Sequence, residues 1–325
     1  MTQPALPATA LTGFHDAQHY DAHRPSYPPS AVAALLTHLS LRGVPGAHVV
    51  EIGAGTGKFT ACLAEREEGY RVVAVEPHAR MRDELVVKVR RGEMGGVVVR
   101  EGDSENLGDG EGVEGVVVAQ VGWVFSIYIP SWFGEGGWAD FEWVVGCRRF
   151  IGKRVTQVYV GRLSVLTHLR FANEATLKEI HRVLPVGGGL GMIWNVEDYN
   201  QPRGWKTTTD WEQKLKDIIW SLDDGMPRFR HEKYKQCFEN QALMDPLFSL
   251  PLGEESIPWV SWLTPEGVWD RFSTLSQIAL LEHGRKTSLK QQVFDLIAGG
   301  DVERNEKEEV ALHGVTFLSW TSKVG

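Results

Sequence analysis

His48 to Gly57, HVVEIGAGTG, followed by Arg71 to Pro77, RVVAVEP, is the stretch that decides the fold. Val49, Val50 and Ile52 form a β-branched apolar run of the kind found in a strand buried on both faces. The run breaks directly into Gly53-Ala54-Gly55-Thr56-Gly57. A dinucleotide fingerprint would need a third glycine at position 58, where Lys58 stands, so the spacing is Gly-x-Gly-x-Gly. An acid, Glu51, lies two residues ahead of the first glycine.

In a tight turn from strand to helix, missing Cβ atoms let a ligand approach the backbone, and the N–H groups opening the helix favour a carboxylate. A helix over 59–68 leads to a second buried strand that ends in Glu76. A carboxylate at that tip, roughly twenty residues past the glycines, is placed to accept hydrogen bonds from both ribose hydroxyls of an adenine nucleoside.

EIGAGTG with VAVEP resembles the class I S-adenosylmethionine-dependent methyltransferases, in particular the small-molecule group (methyltransferase type 11) that includes the trans-aconitate methyltransferases. The resemblance implies S-adenosyl-L-methionine as cofactor. It places Gly53, Ala54, Gly55 and Gly57 along the methionine end, with Glu51 organising the loop and Glu76 and Pro77 at the ribose. Glu101-Gly102-Asp103-Ser104-Glu105-Asn106-Leu107 resembles the family's G-D-A-E-x-L segment, which makes Asp103 an adenine ligand and Ser104 a backbone contact. Gln120, closing the strand GVVVAQ, completes the implied cofactor set. Ala17, Tyr20, Arg24, Pro25, Tyr27 and Pro28 match the group's amino-terminal lid pattern, so Tyr20 and Arg24 are expected near bound ligand.

The implied fold is a Rossmann-like, seven-stranded, mostly parallel α/β sheet with helices on both faces and the last strand antiparallel. Alternating strand and helix patterns support α/β independently. Residues 1–12 read as a disordered tail, 13–45 as lid helices, and 46–120 with 171–200 as the cofactor-binding core. Residues 201–310 read as a helical substrate cover with a sixth strand at 255–259 and helices at 264–283 and 287–298, and 311–325 as the last strand and terminus. Trp194 and Asn195, at the carboxyl end of the fifth strand, are substrate-pocket candidates because open α/β sheets bind ligands there.

Residues 121–170 depart from the family. Trp123, Trp132, Trp138 and Trp143 are scattered among Gly and Arg with no sustained period. The segment reads either as a substrate cap or as a retained intron. Val121 and Arg170 suit GT and AG splice borders, which favours the intron.

Methyl transfer from a sulfonium needs a base only when the acceptor must lose a proton, so the pattern points to O-methylation of a small-molecule carboxylate or hydroxyl. The alternative is a cofactor-binding but inactive relative, disabled by the insertion. A nicotinamide oxidoreductase is disfavoured by Lys58. A net charge of −8 argues against nucleic acid as partner. Cys62, Cys147 and Cys237 form no CxxC pair, and no apolar run approaches membrane-spanning length, so a cytoplasmic monomer or weak homodimer is expected. His15, His19 and His23 recur at helical spacing without acidic or thiol ligands, so no metal is expected. No catalytic base is assigned.

Overall fold

The computed structural model describes residues 21–120, 174–223, 228–241, 246–299 and 301–325. Tyr20, His15, His19, the tail and the whole of the 121–170 insertion lie outside the described residues.

The chain runs α1 (Pro29–His38), β1 (His48–Ile52), α2 (Lys58–Ala64), β2 (Arg71–Val75), α3 (Ala79–Arg90), β3 (Val97–Arg100) and β4 (Gly115–Ala119). After the insertion come α4 (Glu174–Val183), β5 (Gly189–Glu197), α5 (Asp210–Ser221), α6 (Tyr234–Gln241) and β6 (Gly253–Leu263). The chain closes with α7 (Pro265–Ser273), α8 (Ser276–Ala279), α9 (His283–Ile297) and β7 (Val310–Ser322). The seven strands form one sheet in the order β3-β2-β1-β4-β5-β7-β6. Pairings among β1 to β5 are parallel, and β7 runs antiparallel to both β5 and β6. The sheet is therefore seven-stranded and mostly parallel, as expected. Its order reverses between β1 and β4, which opens a crevice at the carboxyl ends of the central strands.

Strand alternation sorts side chains onto two faces. Val49, Val117, Ile193 and Leu318 join Leu35 and Phe59 of α1 and α2 in one core, while Val50, Val118, Met192, Trp194 and Phe317 join Leu177 and Phe238 in the other. A third apolar cluster ties Trp211 and Leu215 of α5 to Val268, Phe272 and Val293 of α7 and α9. None of the helices among the described residues is long and apolar enough to cross a membrane.

Two expectations differ in detail. The sixth strand is longer than 255–259, and Pro258 is tolerated inside it because β6 lies at the sheet edge. The single helix expected over 264–283 is two. Thr264 caps α7 by accepting from the Gly267 N–H at 3.0 Å, but Ser273 and Thr274 then donate their hydroxyls to the carbonyls of Asp270 and Arg271. Side-chain bonds of this kind compete with the helical ladder and end the helix.

Candidate cofactor and acceptor site

The glycine turn folds over the end of β2. Gly53 and Ala54 donate their N–H groups to the Val75 carbonyl at 2.8 and 3.1 Å. Gly57 caps α2 with φ +87°, a left-handed geometry that only glycine adopts without strain, and a Cβ there would lie 2.3 Å from a Leu85 methyl carbon. A Cβ at Gly55 would meet nothing within 4 Å, so the space above the middle of the turn is open.

Glu76, only 5% exposed, binds this turn to the start of α3. Its Oε2 accepts from the Gly55 N–H and its Oε1 from the His78 N–H, both at 2.7 Å. Burial raises its pKa to about 6 against the opposing effect of these bonds and of Arg82. Each oxygen retains a lone pair for a further donor. Glu51 lies beneath α2 and accepts from the Thr60 hydroxyl at 2.6 Å, tying β1 to the helix rather than bonding the glycine turn itself. Burial first, and the Glu76 charge in addition, push it to about 8.

Past β3, Asp103 accepts from the Glu105 N–H at 2.9 Å and Ser104 is held by the Thr176 hydroxyl at 2.8 Å. Both lie in the loop beyond the β3 end, which the strand order sets beside the β2 tip carrying Glu76 and Pro77. Gln120 has φ +49° at the end of β4, and its side-chain oxygen accepts from the Asn195 N–H at 2.7 Å.

The β5 candidates separate by face. Trp194 points into the second core, with ring centroids of Tyr234 and Phe229 at 4.9 and 5.0 Å. The sequence makes it a pocket candidate, and the structure places its ring in this aromatic core, on the sheet face opposite the Asn195 side chain. Asn195 points to the other face, where its Nδ2 donates to the carbonyls of Pro25 and Ser26 at 3.3 and 3.1 Å and its Oδ1 accepts from Thr316 at 2.7 Å. It is the fastener of the amino-terminal segment rather than a group left open to ligand. Asn195→Ala is expected to cost about 1–3 kcal/mol, since it strands the buried Thr316 hydroxyl and frees two carbonyls. The midpoint of urea unfolding checks this, and an unchanged midpoint would refute the fastening role.

Arg24 was expected near the site, whereas several other polar residues there were not legible in advance. Asp21 accepts from Thr56 at 2.6 Å and Lys88 at 2.8 Å, and Lys58 stands 3.8 Å away. Burial pushes the Asp21 carboxyl up, but the two bonds and the lysine charges hold it below the ordinary value. Arg24 faces the fully buried Glu197 at 3.8 Å, and Arg271 of α7 donates to the His23 carbonyl at 3.4 Å. Glu197 could have been suspected as an acid closing the fifth strand, whereas nothing in the periodicity of α7 marks Arg271.

The family model for protein-L-isoaspartate(D-aspartate) O-methyltransferases matches residues 14–110, the segment that carries the glycine turn, Glu76 and Asp103. An uncharacterized methyltransferase of Mycobacterium bovis is 27% identical over 280 residues, 86% of this chain and 82% of the relative. These matches support S-adenosylmethionine-dependent methyl transfer by a chain of the class I methyltransferase fold. A methyltransferase-like relative from Schizosaccharomyces pombe, itself uncharacterized, is 25% identical over 69% of this chain and 63% of its own length. Among solved structures, a methyltransferase described as putative from Bacillus halodurans superposes with a TM-score of 0.48 at 14% identity, covering 91% of this chain and all of that one.

Proposed function

We propose that this methyltransferase transfers the methyl group of S-adenosylmethionine to an oxygen of a small-molecule acceptor, a carboxylate or a hydroxyl. The observation that carries the reading is the buried Glu76 carboxylate clamped to the glycine turn beneath the open space at Gly55. When bound, the cofactor supplies an electrophilic methyl on a cationic sulfur. Gly53, Ala54, Gly55 and Gly57 would line its methionine end, Glu76 and Pro77 its ribose, Asp103 and Ser104 its adenine, and Gln120 the near wall. Arg24, with Asn195 fixing the backbone beside it, brings the amino-terminal segment across the carboxyl ends of β4 and β5, where exclusion of water aids an in-line displacement.

The family-model match covers the cofactor half and supports the donor rather than any acceptor. A net charge of −8 supports a small molecule over nucleic acid, and the proposed working form is a cytoplasmic monomer or weak homodimer. Calorimetry of the full chain with S-adenosylmethionine, followed by release of S-adenosylhomocysteine with a panel of carboxylates and hydroxyl compounds, tests the reading. Stoichiometric binding with turnover of one class is expected, and a folded chain that binds no cofactor overturns it.

A further inference from the structure

Beyond the cofactor residues, the molecule holds a closed ring of buried polar groups at the end of β5. Ile193, Asn195 and Glu197 share the face toward the glycine turn, and the last of them meets Arg24. The residue before Arg24 offers its carbonyl to Arg271, and the next residue of α7, Phe272, packs edge-on against Tyr199 with ring centroids 5.1 Å apart. Tyr199 follows Glu197 by two residues, which closes the ring.

Three members have hydrogen-bonding atoms with no partner among the described residues. Both oxygens of Glu197, which is 0% exposed, accept no hydrogen bond there. The Tyr199 hydroxyl, also 0% exposed, and one terminal nitrogen of Arg271, 7% exposed, are likewise unmatched. Buried polar groups are almost always satisfied, and a group of them left open at one place is the pattern of a site completed by its ligand. The demand is specific. Glu197 needs a proton-bearing group, while Tyr199 and Arg271 need an acceptor oxygen. Burial foremost keeps the Tyr199 phenol protonated, so it serves as a donor. The Tyr199 and Phe272 rings, packed edge to face at this place, favour a flat, aromatic molecule.

We propose that this ring is the acceptor subsite, that its acceptor is a phenol carrying a second oxygen next to the reacting hydroxyl, and that Glu197 is the general base. The inference rests on the methyl-transfer reading and selects hydroxyl over carboxylate within it. The phenolic O–H proton passes to the Glu197 carboxylate as the phenolic oxygen forms its bond to the methyl carbon. The carbon–sulfur bond breaks with its electron pair kept on sulfur, leaving an aryl methyl ether and a neutral thioether. Tyr199 and Arg271 hold the neighbouring oxygen. Arg24 faces Glu197 from the amino-terminal segment, and Glu197, Arg271, Arg24 and Glu212 are the charges that act on Tyr199.

The test uses the full chain with catechol, 2-hydroxybenzaldehyde, benzoate and pentafluorophenol as probes. Cofactor affinity is measured separately by calorimetry, so a failed donor reading shows there and not in the acceptor results. Turnover of the hydroxylated probes is expected, with none of benzoate. Glu197→Gln should lower turnover of catechol by about 10²–10⁴-fold, as expected for loss of a general base. It should lower turnover of pentafluorophenol, already ionised in neutral buffer, by no more than a few-fold. Tyr199→Phe, which removes an unmatched buried hydroxyl, should leave the ligand-free Tm unchanged or raise it while weakening KM for 2-hydroxybenzaldehyde. The proposal is overturned by turnover of benzoate alone, by turnover of no probe in a chain that binds cofactor, or by equal losses with both phenols. A Tyr199→Phe chain that melts several degrees lower overturns the subsite assignment, since a purely structural hydroxyl would behave that way.

Discussion

Replacing Glu76 with alanine is expected to weaken S-adenosylmethionine binding by at least about a hundredfold. Hydrogen bonds to a charged acceptor contribute about 1.5–3 kcal/mol each, and two ribose hydroxyls would donate to this carboxylate. Truncation also frees the Gly55 and His78 N–H groups that Glu76 now receives at 2.7 Å, so the glycine turn loses its tie to α3. The two effects are separable by a proton count. Because burial holds Glu76 near 6, the free protein carries a partial proton there at mildly acidic pH. Ribose donors favour the ionised form, so binding should release that proton and affinity should rise with pH up to about 6. Calorimetry in two buffers of different ionisation enthalpy reads the release directly. Wild-type protein should show it and Glu76→Ala should not. An alanine variant that binds within a few-fold of wild type would remove Glu76 from the cofactor site.

The strands were legible wherever burial on both faces forced a mainly β-branched run, as in Val49 to Ile52, Val72 to Val75 and Val116 to Val118. Lys58 in place of a third glycine distinguished the turn from a dinucleotide fingerprint, and the structure uses that lysine near Asp21. The pattern failed where side chains act on distant partners. Alternation along β5 shows that Trp194 and Asn195 face opposite ways, yet it does not show which face carries the amino-terminal segment. That depends on Asn195 meeting the carbonyls of Pro25 and Ser26. Arg271 joins the site only because Ser273 and Thr274 end α7 early and α7 packs against the same segment. No local period encodes such a meeting.

Stability should fall as pH rises from about 5 to 8, and Glu51→Gln should remove much of that fall. Glu51 has its pKa displaced from the ordinary 4.5 to about 8, with burial as the main cause. Between those values the folded chain holds a proton that the unfolded chain has lost. Stability declines with pH wherever the native state binds more protons, so the loss begins above the unfolded value and is complete above the folded one. Each tenfold difference in proton affinity between the two states contributes about 1.4 kcal/mol, which puts the total on the order of a few kcal/mol. Glu76 adds a smaller decline of the same sign that ends near 6, which leaves the span from 6 to 8 mainly to Glu51. Glutamine can keep the bond from Thr60, now 2.6 Å long, without the buried charge. The variant should therefore match wild type near pH 5 and exceed it near pH 8 in urea midpoint. The two carboxylates are also linked, because the Glu76 charge helps raise Glu51. In a Glu76→Gln background the decline should end at lower pH, at the value set by burial and the opposing Thr60 bond. A wild-type midpoint that stays level from pH 6 to 8 would show that Glu51 is ionised in the native protein, at odds with a carboxylate 1% exposed beneath α2.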